Sequence, residues 1–363
     1  MEYYSSDRIN KEDANINIII SGRSDGKSYD VKTKRGIFHY LETGKRFILL
    51  RRKKDEIGAE DIELYFSDLD IKKITKGKYD AISCYRKAIY FGRFDEETGK
   101  IKCIEKIGYA RSLSTEQNTA GHQYPDVDTI IFEEFMSRDV YLRNEPDRLF
   151  NFYCTVDRKK GNTKMWLLGN NISRVCPYLR DWGLMSVIRK QKQGEISVFY
   201  KDAGIDKETG KAVKVKVAVE LGADLGRTSF TFGENAEMMN SGKWQTASQP
   251  KLPKSYKCYN VKFRMIFKFK GFQFLAEFLQ DKVTRDICWF IRPKNTDKIK
   301  NKTLVISDEI NISKYYQRNI YDITLDNERL RNILSTFREG IIFYCNDLTG
   351  TDFKQAIDFE IRR

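Results

Sequence analysis

Residues 16–20 are Ile-Asn-Ile-Ile-Ile, and they run directly into Ser21-Gly22-Arg23-Ser24-Asp25-Gly26-Lys27-Ser28-Tyr29. A β-branched apolar run of this length reads as a buried strand, the polar glycine-containing stretch as a tight loop, and the residues after Gly26 as a helix. That order constrains the chain to an α/β fold, because loop and helix N–H groups then converge on an anion at the C-terminal edge of a parallel sheet. Lys27 adds a positive charge, and Ser28 places a hydroxyl where Mg²⁺ would sit. The expected ligand is a nucleoside triphosphate held by Ser21, Gly22, Arg23, Ser24, Asp25, Gly26, Lys27, Ser28 and Tyr29. Ser21 stands where the full phosphate-loop pattern has its first Gly. The chain has six Gly-Lys pairs, and three belong to the turn tetrapeptide Glu-Thr-Gly-Lys. Only Gly26-Lys27 has a β-branched run before it and a hydroxyl after it.

The second motif is Asp128-Thr-Ile-Ile-Phe132-Glu133-Glu134-Phe135. An apolar strand tipped by two acids places carboxylates where an open α/β sheet binds its ligand. One can hold Mg²⁺ and the next can activate a water against the γ-phosphate. Glu133 is the expected metal-side acid and Glu134 the expected catalytic base. The usual first acid is Asp; the longer Glu133 is expected to act on Mg²⁺ through water. A further apolar strand, 164–168, ends in Gly169-Asn170-Asn171. Asn170 is a candidate γ-phosphate sensor, with a plain turn an equal alternative. The strand Arg46–Arg51 ends in four cations, Arg51, Arg52, Lys53 and Lys54. They read equally as a DNA-phosphate contact or as a solvated loop. Residues 1–15 read as a flexible or adenine-side arm, with Arg8 a candidate adenine contact.

The 363 residues favour two domains, and 65 Lys+Arg against 51 Asp+Glu give a net charge of +14. That excess suits a polyanionic partner, nucleic acid before an anionic membrane surface. The seven cysteines include no Cys-x-x-Cys pair, which fits a reducing cytosol and argues against a zinc ribbon or disulfide framework. Two histidines, His39 and His122, make a His-ligated metal site or a Ser-His-Asp triad a poor expectation. No apolar run reaches the ~20 residues of a membrane span, and no signal peptide is expected.

Glu145-Pro146-Asp147 opens a helix carrying Leu149, Phe150, Phe152 and Tyr153, which is expected to run to Arg158-Lys159-Lys160 and stop at Gly161. The expected organisation is an ATPase domain over 1–201, a lid or linker over 202–253, and a second domain over 254–363. In the last segment three meander strands, then helix, strand and helix, give the order of a ribonuclease-H-like fold. Its first strand carries Lys262, Arg264 and Lys268, with Lys270 just beyond, rather than carboxylates. A two-metal nuclease needs converging acids, so this domain is read as a nucleic-acid or partner-docking module without nuclease activity.

These residues resemble a family. The 21–29 loop, Ile48-Leu-Leu-Arg51-Arg52-Lys53-Lys54, Tyr124-Pro125, Thr129 to Phe135, Asn144-Glu145, Thr155-Val156-Asp157-Arg158 and Leu168-Gly169-Asn170 are similar in order to the DNA encapsidation ATPases of phi-twenty-nine-type podophages. Those enzymes are a compact branch of the terminase large-subunit and FtsK/HerA-like ring ATPases. The resemblance covers roughly residues 15–180 and implies an ASCE P-loop ATPase domain with a mostly parallel central sheet, followed by a vestigial ribonuclease-H-like α/β domain. It implies ATP and Mg²⁺ as cofactors and a homo-oligomeric, typically pentameric, ring. The ring would sit on the portal vertex of a procapsid in the host cytoplasm, with or without a scaffold RNA, drive double-stranded DNA inward, and be absent from the mature virion. It also implies that Arg158 is a finger reaching a neighbour's γ-phosphate, that Arg23 is a second finger or switch, that Asn170 is a coupling residue, and that Lys54 is a pore-side or inter-subunit cation. Three alternatives stay open: a terminase-like large subunit that also cuts DNA, with Glu277, Asp281 or Asp308 as its acids, a DNA-dependent NTPase outside packaging, and a plain nucleic-acid-binding module with a decayed phosphate loop.

Overall fold

The run 16–21 is buried on both faces because it lies inside a sheet: every residue of β1 (Ile16–Ser21), the polar Asn17 and Ser21 included, is buried. In the computed structural model, which describes residues 3–119, 123–137, 141–158, 160–188, 190–205, 212–223, 225, 244, 246–269, 271–296, 298–309, 311–318, 328–338 and 341–361, the chain divides into two compact units. The first comprises 1–172 with 190–231 and 239–243; the second comprises the remainder.

The first unit is built on a nine-stranded sheet. Its remaining strands are β2 (Arg46–Arg51), β3 (Ala81–Tyr85), β4 (Ala88–Asp95), β5 (Lys100–Ser112), β6 (Val127–Glu133), β7 (Lys164–Asn170), β8 (Ile196–Ile205) and β9 (Ala212–Leu221). The order is β3-β4-β5-β2-β6-β7-β1-β9-β8. From β5 to β9 all pairings are parallel, and the antiparallel pairs β3/β4, β4/β5 and β8/β9 form the two flanks. Such strands have apolar neighbours on both faces, which is why they read as continuous rather than alternating hydrophobic runs. β7 lies between the loop-bearing strand β1 and the acid-tipped strand β6, so the tips of all three meet at one edge. Trp166 of β7 is fully buried, with the Arg35 guanidinium 5.4 Å from its ring centroid.

Three expectations change. The 27–43 helix forms and ends at Gly44 in the left-handed region (φ 71°), but its middle turn Lys32–Phe38 is π-wound. The segment 202–253, read around Val213–Val219 as a small hairpin or lid followed by a linker, does contain a hairpin, β8 paired antiparallel with β9, and β9 also pairs in parallel with β1. The alternating Val213–Val219 run belongs to the main sheet, and the rest of that expectation falls largely outside the described residues, as do Lys159, Lys270 and His122. The arm 1–15 is pinned from Tyr4 onward. Tyr4 N donates to the Asp25 carbonyl (3.0 Å), Tyr4 OH to Glu220 (2.6 Å), and Arg8 to the Gly194 carbonyl (2.7 Å).

The second unit carries a six-stranded sheet of β10 (Tyr259–Phe269), β11 (Phe272–Asp281), β12 (Ile287–Pro293), β13 (Leu304–Ser307), β14 (Tyr316–Gln317) and β15 (Ile342–Tyr344), ordered β14-β13-β10-β11-β12-β15. The β10-β11-β12 meander forms as expected, and the short apolar piece at 304–306 becomes β13, which pairs parallel to β10, whereas the strand expected after the first helix lies at the other side of the sheet. The third strand's far neighbour, β15, pairs parallel to β12. The helices Glu328–Arg338 and Asp347–Ile361 supply Phe337 and Phe353 to an aromatic core. Phe267 stacks on Phe337 at 5.3 Å, and Trp289 meets Phe337 edge-on at 5.1 Å.

On β11, Glu277 is fully buried and accepts from Arg264 Nε (2.8 Å), Arg292 Nε (3.1 Å) and Tyr256 OH (2.9 Å). Burial pushes its carboxyl up, but the Arg292, Arg264 and Tyr256 donors outweigh that and hold it below 4.5. A lowered folded value means the stabilisation is complete above the unfolded range and is lost as the pH falls through the folded value. Acid unfolding followed by circular dichroism should show this contribution of Glu277 being lost as the pH falls through its lowered folded value. Glu277→Gln should be less stable at neutral pH yet lose less on acidification.

A second test concerns close approach in the first sheet. A Cβ at Gly108 would lie 2.7 Å from the carbonyl oxygen of Phe47, its register partner on β2. Backbone cannot yield as a side chain can, so Gly108→Ala should destabilise by about 1–3 kcal/mol, read by chemical denaturation.

Candidate functional site

The expected order of strand, loop and helix forms: β1 ends at Ser21 and the loop runs to Gly26. Ser24 (φ 62°) and Gly26 (φ 91°) take left-handed conformations, and the helix starts at Lys27. The departure at Ser21 has a structural counterpart that sequence reasoning missed. A Cβ at position 222 would sit 2.5 Å from Ser21 Cβ, so the extra atoms at 21 are accommodated by the glycine after β9. Ser21 and Asp25 are buried, while Arg23, Ser24 and Tyr29 are exposed.

Parallel register brings the other motifs to this loop. Ser21 is the partner of Asn170, and Glu133 of Leu168. Lys27 Nζ donates to Asn170 Oδ1 (2.5 Å) and to the Gly22 carbonyl (3.0 Å). Burial pushes the Lys27 ammonium down, while Glu133 and Asp25 pull it back up. Ser28 Oγ donates to Glu133 Oε2 at 3.0 Å. Burial pushes the Glu133 carboxyl up, against the Tyr65 and Ser28 hydroxyls and the Lys27 charge. Tyr65, from the helix Ala59–Phe66, donates to Glu133 Oε1 at 2.7 Å; no motif in the sequence pointed to it. The hydroxyl of Ser28, at the start of its helix, and the buried carboxylate at the tip of β6 are oxygen donors of the type that Mg²⁺ takes.

Glu134 projects from the strand tip in a left-handed conformation (φ 55°) with its side chain 64% exposed. Its carboxylate is 3.2 Å from Arg51, which is also 3.4 Å from Glu56. In this arrangement the candidate base faces a cation of the neighbouring strand.

The four-cation run therefore separates into two pairs. Arg52 is not on the surface. It is 5% exposed, its Nε donates to both oxygens of fully buried Glu145 (3.0 Å each), and its terminal nitrogens donate to the Glu134 and Phe135 carbonyls (3.1 and 2.7 Å). The expectation of a DNA contact at Arg52 is corrected. β2 runs beside β6, so the residues just past its end reach the acid strand's tip. Lys53 and Lys54 are exposed.

Arg158 is not brought to Lys27 or Glu134. It caps the helix Glu145–Asp157 in a left-handed conformation (φ 43°), and Asp157 accepts from Gly161 N and Thr163 N to fix the turn. The turn precedes β7, so exposed Arg158 lies at the N-terminal edge of the sheet. The length of β7 separates it from the phosphate loop, about 20 Å of extended chain.

The Arg52–Glu145 pair ties β2, β6 and the helix Glu145–Asp157 together out of water. Arg52→Met leaves a buried carboxylate and two carbonyls without their cation, and it should cost about 3–5 kcal/mol. Chemical denaturation checks this; Lys54→Met is expected to change stability little.

The model of the Podovirus DNA encapsidation protein (Gp16) family matches residues 1–208. The chain is 33% identical over 185 residues to the DNA packaging protein of Bacillus phage B103, covering 48% of this chain and 50% of that one. It is 28% identical over 197 residues to the DNA packaging protein of Bacillus phage PZA, covering 52% of each. The chain thus spans about half the length of these relatives. Among solved structures, the bacteriophage Phi-29 viral genome packaging motor assembly is similar in fold, with a TM-score of 0.57 and 22% identity over 99% of this chain and 98% of that one. With the family model matched across more than half its length, and the phosphate loop, acid pair and Asn170 all inside that match, the chain belongs to the Podovirus DNA encapsidation protein (Gp16) family.

Proposed function

We propose that the chain is the ATPase of a viral DNA-packaging motor, hydrolysing ATP to drive double-stranded DNA through a portal into a procapsid. The observation that carries this reading is the junction of Lys27 with Asn170 and of Ser28 with Glu133, three strand tips meeting at one phosphate loop. The loop N–H groups and Lys27 bind the β- and γ-phosphates, and Asn170 couples the γ-phosphate position to β7. Ser28 and Glu133 would hold Mg²⁺, which supplies charge neutralisation on the phosphates when bound. Glu134 takes a proton from the attacking water once its carboxylate leaves Arg51.

Arg158 acts on a neighbouring subunit, in a ring that we propose is pentameric. Its position at the far edge of the sheet from its own phosphate loop supports a role in trans, where a guanidinium stabilises charge on the transferring phosphoryl group. Lys53 and Lys54, exposed beside the site, are the proposed DNA-facing or inter-subunit cations; Arg51 is proposed instead as the residue that holds Glu134. The net charge of +14 supports a polyanionic partner.

For the second unit we propose docking rather than cutting. Glu277 is committed to Arg264 and Arg292, and Asp281 to Lys254 (2.7 Å) and to the N–H groups of Val283 and Thr284. Among the described residues no three His, Cys, Asp or Glu side chains gather to hold a metal ion.

ATP turnover with DNA and procapsids tests the reading. Glu134→Gln is expected to bind ATP and not hydrolyse it, and Lys27→Ala to weaken both. Arg158→Ala should keep nucleotide binding in the isolated subunit and lose about 10³-fold or more of ring turnover. Full activity of Arg158→Ala would exclude the finger role, and full activity of Glu134→Gln would exclude this site.

A further inference from the structure

Glu133 has two hydroxyl partners, and only one comes from the phosphate loop. Ser28 takes Oε2, and Oε1 accepts from the phenol of Tyr65 at 2.7 Å. A Glu has one more torsion than the Asp usual at this position, so a carboxylate at its end needs a second anchor to keep one orientation. Tyr65 is itself fastened. Lys32, on the helix that begins in the phosphate loop, donates to the Tyr65 carbonyl and to Asp68, and its ammonium lies 4.6 Å from the Tyr65 ring centroid. The Tyr65 ring packs edge-on against buried Phe66 at 4.9 Å. One buried lysine thus joins the phosphate-loop helix to the helix Ala59–Phe66, and that second helix returns a hydroxyl to the acid strand.

We infer that Tyr65 is a positioning residue for the metal side of the site. Its phenol, held in place by Lys32, keeps the Glu133 carboxylate oriented beside Ser28, and the extra length of Glu133 matches the reach to that phenol. This rests on reading Ser28 and Glu133 as the Mg²⁺ side of a nucleotide site. It assigns Tyr65 no contact with nucleotide, water or DNA.

The experiment uses the full chain and ADP as the probe, titrated by calorimetry in EDTA and at rising MgCl₂. Tyr65→Phe keeps the ring over Lys32 and removes only the hydroxyl. In EDTA its ADP affinity should equal the wild type's, while the MgCl₂ needed for half of the metal-dependent gain should rise about tenfold. In turnover, kcat should fall at limiting Mg²⁺ and recover as Mg²⁺ is raised, with KM for ATP at saturating metal little changed. Glu133→Asp provides the second arm, because the shorter acid no longer reaches the phenol: in that background Tyr65→Phe should have no further effect on the MgCl₂ midpoint. An unchanged midpoint in Tyr65→Phe, or an equal tenfold shift in the Glu133→Asp background, would overturn the role of Tyr65. If Lys27→Ala binds ADP as the wild type does, or if MgCl₂ adds nothing to wild-type binding, the nucleotide-site reading fails, and the inference fails with it.

Discussion

A carboxylate removed from water must be repaid with donors, and in this chain that requirement organises the candidate site. Glu133 is 5% exposed at the end of β6. Its two oxygens take hydroxyls from two different helices, and Lys27 supplies the nearest positive charge. Each donor fixes an element: Ser28 the phosphate-loop helix, Tyr65 the helix Ala59–Phe66, and Lys27 the tip of β7 through Asn170. The register of β1, β7 and β6 and the placement of the helices over them are thus two aspects of one condition. If a tip slipped by one residue, a buried charge would lose its partner.

The same logic divides the cations after β2. Two consecutive arginines leave a strand tip beside the acid strand, and successive side chains diverge. Arg52 turns into the protein to meet fully buried Glu145, while Arg51 bridges Glu56 and Glu134 at the rim. Arg52 is a structural pivot: it also caps the Glu134 and Phe135 carbonyls, and so sets the backbone that presents the candidate base. In one dimension such a cluster looks like a basic patch, because its acidic partner lies 93 positions away.

What could be read in the sequence follows from how local each signal is. The buried strands, the phosphate loop, the acid pair and Asn170 are written in consecutive residues, and parallel strand order then brings their tips together. Tyr65, Lys32 and Gly222 carry no local mark. Tyr65 is one aromatic in an amphipathic helix, Lys32 one lysine among many, and Gly222 matters only because Ser21 faces it across a strand pair. In the 202–253 segment the hairpin is legible, but its membership of the main sheet is not, for a related reason. Its Gly, Ser and Pro content reads as linker, yet its one apolar run, Val213–Val219, pairs with β1. Composition averages over a window, and a single strand within a polar window is lost in the average.

In the second unit the same electrostatic condition has another outcome. Glu277 is as fully buried as a carboxylate can be, but its charge is balanced by Arg264 and Arg292, which are themselves 55% and 44% exposed at the side chain. The ion pairs join three neighbouring strands, β10, β11 and β12, across one face of the sheet. A carboxylate in that position has its lone pairs filled by guanidinium and phenol donors, so recruiting a divalent cation would first require breaking charge-assisted bonds worth more than neutral ones. Glu133 differs in this respect. Its hydrogen-bonding partners are hydroxyls, which can rotate or turn from donating to accepting, and of the cations that act on it, Lys27 and Arg51, the first also donates to the Gly22 carbonyl. Two buried glutamates in one chain are therefore held in opposite ways, Glu277 by fixed charge-assisted bonds and Glu133 by hydroxyls that can give way.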